Sequence, residues 1–174
     1  MTKLNGLVSD YQLMWLDKTE SLNKEITRWF FTLNETAYLH RSHLFGGRYE
    51  NIYVDEESHP DLALLMNQLR TITANILNLD SDQIKLGFWF NTMAPGHVTN
   101  RHNHDDDDEK ISGVYYLTIP ANSGDLVLFA DEEIIIEPEE GMLILFSPTL
   151  EHQVLKNNSQ QTRLSIGFNV GMKT

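Results

Sequence analysis

From Ile84 to Val170 the chain is a succession of short apolar runs, each closed by a turn signal. Ile84–Thr92, Ile111–Ile119, Asp125–Ala130, Ile134–Glu137, Met142–Phe146, His152–Leu155 and Arg163–Val170 all have strand length and strand composition. Between them stand Pro120 with Asn122-Ser-Gly124, the acidic turn Asp131-Glu132-Glu133, Pro138-Glu-Glu-Gly141 and Asn157-Asn-Ser-Gln160. Many short strands with regular turns predict a β-sandwich or jelly roll.

The first half has a different period. Leu22, Ile26, Trp29, Phe30 and Leu33 recur at three- and four-residue steps, as do Leu62, Leu65, Met66, Leu69, Ile72 and Ile76. Each set marks one buried face of a helix. Pro60 suits the first turn of the second helix, and Asp61 suits its positive N-terminal end. A turn at Gly46-Gly47 separates the two. Helices packed on the outside of a sheet give an α+β domain. The expectation is one domain over residues 1–174, with 1–82 mainly helical support and 83–171 the jelly-roll core. No Pro- or Gly-rich linker and no repeat divides it.

Charge and composition narrow the partners. A net charge of −12 disfavours nucleic acid and anionic membrane surfaces. The absence of cysteine removes disulfides, thiolate metal sites and iron–sulfur clusters, and fits a cytoplasmic location. Met1–Glu20 lacks the basic start and apolar run of a secretory signal, and no stretch has about 18 consecutive apolar residues. Asp105–Glu109 is an unbroken acidic run. It reads as a solvated loop or as a lid that attracts a cationic substrate; the spacing of a calcium loop is absent.

Against this background His102-Asn-His104 and, fifty residues on, His152 form a candidate metal set. Two histidines one residue apart share a side of a strand, and a third on a neighbouring strand would complete one face of a coordination sphere. Imidazole binds several metals, so residue type does not choose among them. Asp106 competes for the second position, because His104-Asp-Asp106 has spacing that also suits one imidazole and one carboxylate. His40, His43 and His59 read as surface or packing residues. Arg163 is set on a strand ahead of an apolar run, where an unpaired guanidinium is costly to bury and a carboxylate partner would resolve the cost. A salt bridge to one of the chain's own acids is the alternative.

The order of these residues resembles the 2-oxoglutarate/Fe(II)-dependent oxygenase superfamily, in its prolyl-hydroxylase-like, double-stranded β-helix (cupin-like) form. Four pieces carry the resemblance. Gly96 stands six residues before His102, Ile111-Ser-Gly-Val-Tyr-Tyr-Leu117 follows the first ligands, Gly141-Met-Leu-Ile-Leu-Phe146-Ser-Pro leads to His152, and Arg163-Leu-Ser-Ile-Gly-Phe-Asn169 ends the set. The match covers about residues 84–170 and includes H-x-H, S-G-V-Y-Y-L and R-x-S-x-x-F-N, a combination found in one group of that superfamily.

The resemblance implies a dioxygenase that uses Fe(II), 2-oxoglutarate and O2 to hydroxylate a substrate, releasing succinate and CO2. It implies His102 and His152 as iron ligands. Where most of the superfamily has aspartate this chain has His104, so the second ligand is either His104 or, in a shifted register, Asp106. Arg163 and Ser165 would hold the distal carboxylate of 2-oxoglutarate, and Tyr116, inward with Ser112 and Val114, would donate to it. Asn91, Trp89 and Arg101 are candidates for the side that meets a small-molecule or peptide substrate. A three-histidine, cupin-like thiol dioxygenase and a non-enzymatic metal-binding jelly roll are the competing readings.

Overall fold

The computed structural model describes residues 10–104 and 108–173. Eleven strands form two antiparallel sheets. The larger contains β1 (Tyr11–Trp15), β2 (His40–Phe45), β3 (Arg48–Tyr53), β4 (Ile84–Met93), β6 (Glu109–Thr118), β9 (Met142–Phe146) and β11 (Arg163–Met172), in the order β1-β9-β6-β11-β4-β3-β2. The smaller contains β5 (Thr99–His102), β7 (Leu126–Phe129), β8 (Glu133–Ile136) and β10 (Glu151–Val154), in the order β5-β10-β7-β8. The two sheets together are the double-stranded β-helix, and the strand runs expected from Ile84 onward each correspond to one of these strands.

Helices α1 (Glu20–Phe30) and α2 (Pro60–Leu77) cover the outer face of the larger sheet. Side chains alternate along a strand, so each central strand serves two cores. Leu143 and Leu145 pack toward Ile26, Phe30 and Leu65, whereas Ile144 and Phe146 pack between the sheets with Leu126 and Leu128. Tyr115 and Tyr116 divide in the same way. The Tyr115 hydroxyl donates to Asn23 of α1 at 2.8 Å, while Tyr116 lies in the inter-sheet core. Phe30 of α1 stacks on Phe90 of β4 at 4.3 Å, which fixes the helix layer against the sheet.

Helix α2 starts at Pro60 as expected. Its N-cap is His59, whose Nδ1 accepts from the Asp61 amide at 3.3 Å, so this histidine has a capping role rather than a simple packing one. It ends on Asn78 in the left-handed conformation.

The first half is less helical than the expected division at residue 82 allows. It contributes β1, β2 and β3, which extend the larger sheet at both edges. The β2–β3 hairpin turns at Gly46-Gly47 and joins the sheet through Ile52 opposite Phe90. Its strands are polar and partly exposed, without the apolar content that marks the later strands. Among the described residues no helix is long and apolar enough to cross a membrane.

Candidate metal centre and carboxylate pocket

Sheet register brings the distant histidines together. Strand β10 runs antiparallel to β5, with His152 opposite His102 and Val154 opposite Thr99. Three residue steps on β5 match two on β10, so β5 carries one extra residue, a bulge. The bulge turns both Thr99 and His102 into the space between the sheets, where simple alternation would set them on opposite faces.

His104 lies beyond the end of β5, which corrects the expectation that both members of the H-x-H pair share a strand face. A loop contact holds it instead: its backbone N–H donates to the Pro148 carbonyl at 2.9 Å, in the turn that leads to β10. The ring centroids stand 4.3 Å apart for His102 and His152, 5.0 Å for His102 and His104, and 5.1 Å for His104 and His152. One ligand nitrogen from each ring lies within 4.8 Å of the other two.

Hydrogen bonds orient two of the rings, and burial holds two of them neutral. Nδ1 of His102 meets the Asn100 carbonyl at 2.7 Å, and Nδ1 of His152 meets the Leu150 carbonyl at 3.1 Å. A carbonyl accepts only, so Nδ1 carries the proton in both and Nε2 keeps its lone pair. Burial lowers His104 from the ordinary 6.5 to about 3, helped by the charges of His152, His102 and His43. Burial, with His102 beside it, lowers His152 to about 4 against the backbone bond to Leu150. A divalent ion needs deprotonated ligands, and His104 and His152 are deprotonated well below neutrality.

A second polar group lies deeper in the same cavity, which has a volume of about 640 Å3. Arg163 opens β11 and is 1% exposed. No carboxylate pairs with it among the described residues. One Nη donates to the Gly124 carbonyl, and Nε has no hydrogen-bond partner. Gly124 sits at φ +101°, and a Cβ there would lie 2.1 Å from the Leu155 carbonyl oxygen, so only glycine brings that carbonyl to the guanidinium. The Tyr116 ring lies 5.1 Å from the Arg163 guanidinium carbon. Burial raises the Tyr116 phenol above its ordinary value, while the neighbouring Arg163 guanidinium opposes the shift. Burial likewise lowers Arg163, with Tyr116 and Asp125 working against it. Ser165 follows two residues later on the same face and is 5% exposed.

Comparison with known proteins places this arrangement. The family model described as "Putative 2OG-Fe(II) oxygenase" matches residues 129–169, the segment that carries His152, Arg163 and Ser165. A prolyl-4-hydroxylase of Pseudomonas putida superposes with a TM-score of 0.74 over 94% of each chain at 22% identity. A prolyl hydroxylase of Trichoplax adhaerens, in complex with a hypoxia-inducible-factor peptide fragment, gives 0.69 at 14% identity over 94% of this chain and 84% of its own. The α-ketoglutarate-dependent carbocyclase SnoK from nogalamycin biosynthesis gives 0.71 at 12% identity over 94% and 79%. The chain has the fold of these oxygenases, and a 2OG-Fe(II) oxygenase family model matches its C-terminal strands. A search of curated proteins gives no match. The matched family model names 2-oxoglutarate and Fe(II), and the residues present fit both: three imidazoles for the metal, and a buried guanidinium with no carboxylate partner among the described residues for an acid.

The remaining site expectations divide. Asn91 lines the cavity opposite Ser165 in the β4–β11 pairing. Trp89 lies against His104 at 5.4 Å and Tyr53 at 6.2 Å. Arg101 also lines the cavity, with its guanidinium bonded to Glu151 and stacked 3.8 Å over Phe129. Asp106 and the 105–107 part of the acidic run lie outside the described residues. Of that run's last two members, Asp108 pairs with Lys85 at 3.5 Å and Glu109 accepts from Asn169 at 2.7 Å.

Two residues of the cavity wall escaped sequence reasoning. Thr99 carried no signal, because a lone threonine is unremarkable until the bulge turns it inward. His43, taken for a surface or packing residue, lines the cavity from β2 with φ 57°. Buried Asn51 of β3 fixes its ring, with Nδ2 and His43 Nδ1 at 3.1 Å.

Proposed function

We propose that the protein is a hydroxylase in which His102, His104 and His152 hold Fe(II), and Arg163, Ser165 and Tyr116 hold the distal carboxylate of 2-oxoglutarate. One observation carries the reading: three imidazoles and a buried guanidinium without a carboxylate partner open onto a single cavity. Bound Fe(II) with 2-oxoglutarate would supply the oxidising chemistry, one oxygen atom of O2 going to a substrate C–H bond and the other to the succinate formed as the 2-oxo acid loses CO2.

The chain's own residues do the positioning. Arg163 gives the far carboxylate a charge and a fork of donors from a buried position. Tyr116 donates its phenolic proton to the same group; burial keeps that phenol protonated at any working pH. The Asn100 and Leu150 carbonyls hold the His102 and His152 rings in the tautomer that presents Nε2. Trp89, Asn91 and His43 line the part of the cavity left for the substrate, a small molecule or a peptide. Of the acids lining the cavity, Glu50 is met by Arg48 and Asp108 by Lys85, while Glu109 accepts from the Asn169 amide, so the described residues do not single out a cationic substrate. A chain without cysteine is suited to the cytoplasm, where we place it.

The three-imidazole donor set also suits a thiol dioxygenase, which needs no 2-oxo acid. The unpaired Arg163 favours the 2-oxoglutarate reading. An anaerobic titration of the Fe(II)-loaded protein with 2-oxoglutarate separates the two. A saturable visible charge-transfer band supports the oxygenase. Iron bound without any band leaves the thiol dioxygenase or a plain metal-binding jelly roll.

A further inference from the structure

Thr99 is 7% exposed, lines the cavity, and its Oγ1 has no hydrogen-bond partner among the described residues. A hydroxyl buried in that state lowers stability unless something else in the cavity completes it. We propose that Thr99 donates to the distal carboxylate of 2-oxoglutarate beside Arg163 and Tyr116, and so helps to select a dicarboxylic over a monocarboxylic 2-oxo acid. The inference rests on the reading of this cavity as a 2-oxoglutarate site.

Register places Thr99 at the correct end. In the smaller sheet Thr99 pairs with Val154, and Val154 pairs with Leu126. The Leu155 amide bonds the Asp125 carbonyl next door, and the preceding residue, Gly124, accepts from Arg163. Thr99 therefore belongs to the layer of Arg163, whereas His102 and His152 mark the layer of the metal. A 2-oxo acid chelated at the histidine end and reaching Arg163 would end beside Thr99. The β5 bulge that aims His102 at the metal also aims Thr99 at the carboxylate. An ionised carboxylate offers about four lone-pair positions; Arg163 Nε, the Tyr116 hydroxyl and Ser165 fill three and leave one for Thr99.

The test compares 2-oxoglutarate with 2-oxopentanoate, which has a methyl group in place of the distal carboxylate, on Mn(II)-loaded protein by calorimetry. Thr99→Val should weaken 2-oxoglutarate binding roughly tenfold and leave 2-oxopentanoate unchanged, as loss of one hydrogen bond to a charged group demands. Thr99→Ser should retain most of the affinity. Ligand-free Thr99→Val should melt at or above the wild-type temperature, because it removes an unpartnered buried hydroxyl; a purely structural threonine would melt lower. Unchanged 2-oxoglutarate affinity in Thr99→Val, or equal weakening of both acids, overturns the proposal. Wild-type protein that binds metal but neither acid overturns the cosubstrate reading together with it.

Discussion

His102 and His152 are direct cross-strand partners, with ring centroids 4.3 Å apart although fifty residues separate them in the chain. Each ring is held through Nδ1 by the carbonyl two residues before it on its own chain segment, Asn100 for one and Leu150 for the other. The pair is thus set by β5–β10 register rather than by flexible loops. His104 comes to it separately, through the Pro148 contact.

Both routes to the site predict loss of metal when a ligand is removed. His152→Ala should reduce Fe(II) affinity on the order of a hundredfold or more, since loss of an outer-shell partner alone costs about 10–100-fold. His104→Ala should do the same, and Asp106→Ala should not, if the set is three histidines. Metal titration by calorimetry decides. Retention of iron by His104→Ala with loss in Asp106→Ala would establish the shifted register instead.

Arg163 makes a contrasting case. Arg163→Met should leave Fe(II) affinity intact and weaken 2-oxoglutarate on the order of a hundredfold, the scale for truncating one member of a buried charge pair. Removing a buried, unpaired guanidinium relieves a desolvation cost, so the ligand-free variant should unfold at an equal or higher denaturant concentration. Undiminished 2-oxoglutarate binding would make Arg163 a structural residue.

Acid should unfold the metal-free protein early. His104 and His152 titrate at about 3 and about 4 when folded, against about 6.5 for a free imidazole. As pH falls below about 6.5, the unfolded chain takes up protons that the folded one refuses. Their contribution to stability is therefore complete above about 6.5 and is lost as pH falls through the folded values. Denaturant midpoints should drop between pH 7 and pH 5, and a His104→Gln variant should drop less. Saturating Zn(II), which competes for the neutral rings, should move the loss to lower pH. A midpoint that stays flat from pH 7 to pH 5 would contradict the burial of these rings.

Most of the larger framework was legible because it rests on local signals. The apolar runs from Ile84 onward and the periodic helices announce themselves, and Met142–Phe146 has the same bounds in sequence and structure. The β2–β3 hairpin was not legible, because its strands pair polar, half-exposed residues whose only strong signal is the glycine turn. The site shows the same contrast. Histidine and arginine announce possible chemistry by residue type. Thr99 acquires its place only from a one-residue bulge, and His43 from a left-handed backbone at a strand position. Such features depend on pairing partners far away in the chain.

Gly167 ties the cavity wall to the sheet in a way that one substitution can test. A Cβ at this position would lie 2.6 Å from the Trp89 indole, so the ring rests directly on the glycine where β4 pairs with β11. Trp89 also touches His104, with centroids 5.4 Å apart. Gly167→Ala cannot be absorbed by a flexible chain end, because the neighbour is a rigid aromatic ring. The indole must move, at a cost of about 1–3 kcal/mol for overpacking. We expect a lower denaturant midpoint together with a change in tryptophan emission. Gly113→Ala provides the control: its Cβ would strike Phe168 and Leu145 on the helix side, 2.3 Å and 2.9 Å away. It should destabilise as much without altering metal or 2-oxoglutarate affinity, whereas Gly167→Ala should also weaken metal binding through His104. Equal metal affinity in the two variants would mean that Trp89 does not support that ligand.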